Sequence, residues 1–156
     1  MVECRRMTGA SAGDAFSLLG QFLSRDEYYL ASSQSYGDRG SEALNDSLEL
    51  FLSRPELGFV WLAYADEQPV GICVVCFAIS TSVGGIVAKL DDFSVTDGRQ
   101  GQGIGSALLS QLKEELRRLG VLRVDTSVHL RNTRARRFYE RHGFLSLDEE
   151  RLACLI

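Results

Sequence analysis

The chain lacks an excess of positive charge and a long hydrophobic run. Its 156 residues include 17 basic and 21 acidic side chains, so the formal net charge is −4. A chain of this charge has no overall positive field to draw it to nucleic acid or to an anionic membrane. The longest apolar run, from Pro69 to Ile79, is too short to span a bilayer. We therefore expect a protein that binds neither nucleic acid nor membrane.

The N-terminal residues also lack the pattern of a secretory signal. Residues 1–6 mix both charges, and no long apolar segment follows them. The sequence favours a cytoplasmic protein, in which the four cysteines stay reduced instead of forming a disulfide framework. With 156 residues and 45% hydrophobic content, we expect one domain over residues 1–156.

The chain offers few ligands for a metal ion. Cys73 and Cys76 have the spacing of a metal or redox pair, but they lie in a β-branched run typical of a buried strand. Residues three apart on a strand point to opposite faces, so the two sulfurs cannot easily share one zinc. The two histidines, His129 and His142, lie far along the chain. We interpret both cysteines as structural and predict no metal site.

Hydrophobic periodicity predicts a mixed α/β fold. Helices are expected from residue 10 or 11 onward and at 41–53, 103–119 and 132–141, with a mobile loop or short helix within 24–40. Strands are expected at 2–7, 58–65, 70–80, 86–95, 121–128, 144–147 and 151–156. The strand, helix and strand over 86–128 form one parallel unit inside a mostly antiparallel sheet.

A glycine-rich turn opens a strongly amphipathic helix. It has the sequence Arg99-Gln100-Gly101-Gln102-Gly103-Ile104-Gly105-Ser106. Glycines permit positive φ and close approach of a ligand, and the first turn of a helix presents unpaired N–H groups and a positive dipole end. The turn is therefore a candidate anion site.

Two phosphate-binding motifs match this turn only in part. A Walker A loop is excluded, because Ile104 stands where the motif requires lysine. A dinucleotide fingerprint matches Gly101-x-Gly103 after a strand, with Asp125 about twenty residues further on, but Ser106 replaces its third glycine. Only 31 residues follow Asp125, too few for a second mononucleotide-binding half.

Three motifs in the second half of the chain occur together in one known family. They are Leu90-Asp91-Asp92-Phe93-Ser94-Val95, the loop Gln100-x-x-Gly103-x-Gly105, and Asn132-x-x-Ala135-x-x-Phe138-Tyr139-Glu140-x-x-Gly143-Phe144. In this order and spacing they resemble the GNAT superfamily of N-acetyltransferases, whose loop binds the pyrophosphate of acetyl-coenzyme A (acetyl-CoA). The first half resembles the family's strand, two helices and hairpin more loosely.

The resemblance implies a fold and a set of residues that bind acetyl-CoA. The fold is a mostly antiparallel sheet of about six to seven strands with one central parallel pair, flanked by about four helices. The last strand before the loop splays from its parallel neighbour and leaves a slot for the pantetheine arm. The implied binding residues are Phe93, Ser94, Val95, Arg99, Gln100, Gly101, Gln102, Gly103, Ile104, Gly105, Ser106, Asn132, Ala135, Phe138 and Tyr139.

The resemblance also implies which residues move protons. An alkyl ammonium with a pKa near 10 must lose a proton before its nitrogen can attack, and Asp91 aligns with the family's general base, with Asp92 second. An aspartate is short, so a water relay is expected. The departing thiolate must gain a proton, and Tyr139 matches the family's tyrosine in that role. For Asn132, helix N-capping is an alternative to cofactor binding.

These residues predict an N-acetyltransferase that acts by direct attack in a ternary complex. Acetyl-CoA is the co-substrate, and a primary amine of a small molecule or peptide is the acceptor. The family often dimerises, so a homodimer is expected. Two alternatives remain at this point: a non-catalytic acyl-CoA-binding sensor of the same fold, and a dinucleotide-binding protein.

Overall fold

The computed structural model describes residues 1–156 and combines one sheet with helices on both of its faces. The strands are β1 (Val2–Arg6), β2 (Gly58–Ala65), β3 (Gln68–Ser80), β4 (Gly85–Val95) and β5 (Val124–Thr126). The helices are α1 (Ala12–Arg25), α2 (Glu27–Leu30), α3 (Gly40–Ser53), α4 (Ile104–Arg118) and α5 (Thr133–Arg141), and a 3-10 turn at Gly9–Ser11 precedes α1. None of the helices has the length and apolar character needed to cross a membrane.

The strands follow one another across the sheet in the order β1-β2-β3-β4-β5. The pairs β1–β2, β2–β3 and β3–β4 are antiparallel, whereas β4 and β5 are parallel. A parallel pair needs a crossover connection, and α4 supplies it between β4 and β5. The predicted mixed sheet with one parallel pair is confirmed.

Alternation along the central strands builds two cores, one on each face of the sheet. Helices α1 and α3 cover one face, and α4 and α5 cover the other. Because successive strand residues point to opposite faces, β2 divides its side chains evenly between the cores. Phe59, Trp61 and Ala63 pack on the α4 side, and Val60, Leu62 and Tyr64 pack on the α1 side.

The two cysteines of β3 follow the same alternation. Cys73 belongs to the core under α4, and Cys76 packs against the core under α1. Burial raises the pKa of the Cys73 thiol well above its usual value, so this thiol stays protonated. The predicted placement on opposite faces is confirmed.

The C-terminal part of the sheet is smaller than predicted. The strand expected over 121–128 is reduced to Val124–Thr126, and the strands expected at 144–147 and 151–156 are wrong, because residues 144–156 contain no helix or strand. The sheet therefore has five strands. An alternating apolar pattern makes a strand only where a partner edge offers backbone hydrogen bonds over its length, and β5 offers three residues.

Candidate active site

A bulge in β4 separates the two neighbouring aspartates. Asp91 lies opposite Val74 and Ser94 lies opposite Ile72, so β4 holds one more residue than β3 over this stretch. Asp92 has a φ of 51°. A non-glycine residue at positive φ is uncommon and marks a place where the surrounding structure holds a strained backbone. The bulge gives Asp91 and Asp92 different surroundings, although both line the same cleft.

The edge of β4 that faces β5 loses its strand partner after Leu90, directly before these aspartates. Parallel pairing with β5 joins Ala88 to Val124 and ends at Leu90 and Thr126, while β4 continues to Val95. Beyond that point the β5-facing backbone groups of β4 have no strand partner. Phe93, Ser94 and Val95 lie on this free stretch. This free edge lies where the resemblance predicts a slot for the pantetheine arm.

The glycine-rich turn follows directly and has an open surface. Gly98, Gly101 and Gly103 have φ values of 77°, 79° and 79°. A Cβ atom at any of the three would meet no other atom within 4 Å. Residues 100 and 101 form a hydrogen-bonded turn. The backbone N–H groups of residues 103–106 donate no hydrogen bond within the protein, and the first helical bond runs from Ala107 N to Gly103 O at 3.0 Å. Four adjacent amides are thus available to an anion at the N-terminus of α4.

Aromatic side chains hold the start of α4, the end of β4 and α5 together. The ring centroids of Phe93 and Phe138 lie 5.4 Å apart, and those of Phe93 and Tyr139 lie 6.0 Å apart in an edge-to-face arrangement. Gly105 faces the Phe138 ring, where a Cβ would come within 3.5 Å of a ring carbon. This packing places Tyr139 beside the free edge of β4.

The predicted binding residues on the turn and on α5 make several contacts of their own. Asn132 Oδ1 accepts a hydrogen bond from Ala135 N at 3.1 Å, so Asn132 caps α5. Arg99 is exposed and has no carboxylate partner, whereas Ile104 is buried in the core. Gln102 Nε2 donates to Gly98 O at 3.3 Å within the turn.

Two contacts across the site were not predicted from the sequence. Arg134 Nη1 donates to Gln100 Oε1 at 2.9 Å, which ties α5 to the glycine-rich turn. Ser106 Oγ and His142 Nε2 lie 3.1 Å apart and join the first turn of α4 to the end of α5. These pairs are 34 and 36 residues apart in sequence, and neither forms a local motif that would have indicated the contact.

The electrostatic surroundings distinguish Asp92 from Asp91. Asp91 Oδ2 forms an ion pair with Lys89 Nζ at 3.2 Å. Burial, reinforced by the negative charge of Asp91, raises the pKa of Asp92 to about 6. A carboxylate with this pKa is ionised at neutral pH and still binds a proton more strongly than an exposed aspartate does. Asp92 therefore has the properties of a general base.

Tyr139, unlike Asp92, keeps its proton at neutral pH. It is 8% exposed and lines the same cleft as the two aspartates. Burial raises the pKa of the Tyr139 phenol above its usual value, and the neighbouring Cys73 thiol acts in the same direction. The phenol is therefore protonated at neutral pH and can donate a proton.

The cleft that contains these groups is large. It has a volume of about 1900 Å³ and extends from α5 and β5 across the free edge of β4 to α2, α3 and the C-terminal segment, which we define as residues 144–156. Tyr28 reaches His129 across it, with ring centroids 5.3 Å apart. The end of the cleft near α2 is the space available to a second ligand.

A family model decides to which group of proteins these features belong. The model of the acetyltransferase (GNAT) family matches residues 23–144. The chain belongs to this family. The matched range includes β4, the glycine-rich turn, α4 and all of α5, which are the elements that build the site.

One protein of known sequence and two solved structures illustrate what this GNAT chain is similar to. Mycothiol acetyltransferase from Beutenbergia cavernae is 33% identical over 85 residues, which cover 54% of the chain and 28% of that relative. A protein from Arthrobacter sp. FB24 assigned as an acetyltransferase has a solved structure that is 30% identical, with a TM-score of 0.74 and coverage of 99% and 92%. A predicted acetyltransferase from Clostridium acetobutylicum, solved with acetyl-CoA, is 16% identical, with a TM-score of 0.74 and coverage of 99% and 96%.

The glycine-rich turn is suited to the acetyl-CoA that GNAT enzymes use. A pyrophosphate is an anion, and the turn provides free amides, an open surface and a helix N-terminus. The dinucleotide-binding alternative suits the fold less well, because that fold is built on parallel strands and this sheet has one parallel pair. Asp125, which would bind the ribose in that alternative, forms an ion pair with Arg123 Nε at 2.8 Å.

Proposed function

We propose that residues 1–156 act as one N-acetyltransferase domain that transfers the acetyl group of acetyl-CoA to a primary amine. The observation that carries this proposal is the position of the free edge of β4. It begins at the aspartates and leads to the free amides of the glycine-rich turn. A long ligand held by its pyrophosphate at the turn can therefore reach Asp92 and Tyr139 along one strand.

Each group of the site has one task in this proposal. The amides of residues 100–106 bind the pyrophosphate, with Arg99 as a nearby positive charge, and Phe93 and Val95 bind the pantetheine arm through backbone groups. Acetyl-CoA supplies a thioester that the acceptor nitrogen attacks directly in a ternary complex. Asp92 accepts the proton from the amine, directly or through a water molecule, and Tyr139 Oη donates a proton to the leaving sulfur. Asp91 keeps Asp92 basic through its charge.

An assay of coenzyme A release tests this function. The protein is incubated with acetyl-CoA and a panel of amines, amino acids and peptides, and free thiol is measured. We expect release that depends on both the protein and an acceptor. Acetyl-CoA should also raise the melting temperature, whereas NAD should not. Tight binding of acetyl-CoA without transfer to any amine would favour the sensor alternative, and stabilisation by NAD alone would favour the dinucleotide alternative.

The variant Tyr139→Phe separates turnover from binding. We expect kcat to fall while the affinity for acetyl-CoA stays the same, because the substitution removes only the hydroxyl group. Unchanged turnover in this variant would exclude Tyr139 as the proton donor. The variant Phe138→Leu, which alters packing next to Tyr139 without removing an acid, serves as the control for indirect effects.

We further propose that the protein acts in the cytoplasm as a homodimer, with the C-terminal segment and β5 at the interface. Strand β5 pairs only with β4, so its other edge is free. In the C-terminal segment, Leu145, Leu147 and Leu152 are 86%, 67% and 86% exposed. Free strand edges and exposed apolar side chains are both features that natural proteins usually cover. A second copy of the chain is the occupant proposed here.

A further inference from the structure

An arginine with free hydrogen-bond donors stands at the α2 end of the cleft. The Cζ atom of Arg151 lies 5.2 Å from the centroid of the Tyr36 ring. Arg151 forms no ion pair and no side-chain hydrogen bond, although Glu149 and Glu150 precede it directly. Asp92 lines the same cleft. The guanidinium is thus a charge that no group of the protein neutralises by direct contact.

The surface below Arg151 is held in place by specific contacts. The Tyr36 ring stacks on Tyr29, with centroids 5.8 Å apart. Tyr29 Oη donates to Asp38 Oδ2 at 2.6 Å, and Asp38 Oδ1 accepts from Gly40 N at 2.6 Å. The tyrosine pair is therefore anchored at the start of α3.

The C-terminal segment is held against this surface by a second contact. Leu155 lies over Gly37, where a Cβ would come within 2.7 Å of Leu155 Cδ2. The absence of a side chain at Gly37 makes room for Leu155. Arg151 and Leu155 thus bring the C-terminal segment to adjacent residues of the same turn, Tyr36 and Gly37.

An arginine in this arrangement is prepared to bind a carboxylate. When one face of the guanidinium lies on an aromatic ring, the N–H donors at its planar edge remain available. That edge matches the two oxygens of a carboxylate, and such bidentate pairs are among the stronger hydrogen-bonded contacts in proteins. Lysine would supply the charge at this position but not the planar fork.

Arg151 and Asp92 also act on each other through the cleft. Burial and Asp91 raise the pKa of Asp92, and the positive charge of Arg151 acts against them and lowers it. Tyr29 stands between these two charged groups. Its ring stacks on Tyr36, which carries Arg151. The pKa of Tyr29 is raised by burial, then by the contact with Asp38, and also by the charge of Asp92. The α2 end of the cleft therefore presents a negative group, an aromatic wall and a positive group.

We propose that Arg151 binds a carboxylate of the acetyl acceptor, so that the acceptor is an amino acid or another amine that also carries a carboxylate. This inference rests on the proposed N-acetyltransferase function. The amine of such a molecule lies at Asp92, and its carboxylate lies at the free edge of Arg151. Arg151 acts here as a specificity-determining residue and takes no part in proton transfer.

A matched series of acceptors tests the proposal. Coenzyme A release is measured with glycine, β-alanine and longer ω-amino acids, with n-alkylamines of the same lengths, and with the corresponding diamines. We expect at least one amino acid to exceed its alkylamine in kcat/KM by about 10- to 100-fold, the range for a hydrogen bond to a charged group. Because the contact holds the substrate before and during reaction, the difference should lie in KM.

Variants of two arginines show whether Arg151 causes this preference. Arg151→Met should remove the preference for the carboxylate while alkylamines remain substrates, and Arg151→Lys should restore part of the preference. Because Arg151 lowers the pKa of Asp92, the variants are compared at pH 8, where Asp92 is ionised. Arg117→Met is the matched control, because Arg117 is exposed, lines the same cleft and is not among the charges that act on Asp92. This control should keep the wild-type preference.

Three results would overturn the proposal. They are a wild-type enzyme that prefers diamines or alkylamines, an unchanged preference in Arg151→Met, and an equal loss in Arg117→Met. Failure of the proposed N-acetyltransferase function would give a different result from failure of the Arg151 proposal. In that case no member of any series would be acetylated, even though acetyl-CoA raises the melting temperature.

Discussion

Asp91 and Asp92 show how two identical side chains acquire different chemistry from their surroundings. Asp91 pairs with Lys89 at 3.2 Å, whereas Asp92 lies at the bulge with a φ of 51°. The sequence motif favoured Asp91 as the base. The structure instead supports Asp92, because burial and its neighbour raise the pKa of Asp92 to about 6. The role of either residue stays a prediction until it is tested by substitution.

The pH dependence of turnover provides that test. We expect kcat to rise with pH through an inflection near pH 6, because Asp92 must be deprotonated to accept a proton. Asp92→Asn should lower kcat by about 10²- to 10⁴-fold and abolish the inflection. Asp91→Asn is the matched control, and its inflection should move to lower pH because the charge that raises the pKa of Asp92 is gone. A profile in which Asp91→Asn alone loses activity would assign the base to Asp91.

The ionised form of Asp92, which turnover requires, should lower the stability of the fold. The pKa of Asp92 is raised from 3.8 to about 6, so its contribution to stability is fully present below pH 4 and is lost as pH rises through 6. Asp92→Asn should therefore raise the free energy of unfolding at pH 8 by about 2 to 3 kcal/mol. Urea unfolding at pH 8 and pH 4 measures this, and the gain should be much smaller at pH 4. A variant less stable than wild type at pH 8 would contradict the expectation.

At the scale of elements, the turn between β4 and α4 depends on backbone conformation more than on side chains. Gly103 is the residue before the first turn of α4 and has a φ of 79°. A Cβ there would meet nothing within 4 Å, so the requirement for glycine comes from φ and from the space a ligand needs. The sequence pattern identified this turn correctly because glycine spacing is a local property.

Substitutions of Gly103 separate the requirement for positive φ from the need for ligand space. Gly103→Ala should destabilise the fold by about 1 to 2 kcal/mol, the penalty for a side chain in the left-handed region, and should raise KM for acetyl-CoA. Gly103→Val should abolish binding of acetyl-CoA. Gly20→Ala is the control, because Gly20 lies in α1 with open space around it, and it should stabilise the fold by about 0.5 to 1 kcal/mol. Chemical denaturation and titration with acetyl-CoA measure both quantities, and equal behaviour of the two alanine variants would refute this explanation.

At the scale of the whole molecule, the free edge of β5 predicts self-association. We expect light scattering after size-exclusion chromatography to show a dimer. Leu147→Lys or Leu152→Lys should produce a monomer, because a lysine in place of an exposed leucine opposes burial of that surface in an interface. Leu50→Lys is the control, since Leu50 is 54% exposed on α3, away from this edge. A wild-type monomer would remove the proposed interface.

Most of the helices and strands could be predicted from local patterns, and the departures have a common cause. The ranges of α3, α4, β2 and β3 differ from those predicted by at most two residues at either end. The expected strands at 144–147 and 151–156 failed because strand formation depends on a partner, which a single segment does not reveal. Similarly, no local signal joins Arg134 to Gln100 or Arg151 to Tyr36.

The sequence by itself determined the glycine-rich turn, the amphipathic helices, the alternation of β2 between two cores, and the motifs shared with the GNAT family. These features depend on residues a few positions apart, where backbone sterics and side-chain periodicity act. Only the tertiary structure decided that Asp92 has the raised pKa, that β4 is left free beyond Leu90, and that Arg151 stands unpaired over Tyr36. Burial and charge act between residues that are distant in the chain, so these properties exist only once the fold has brought them together.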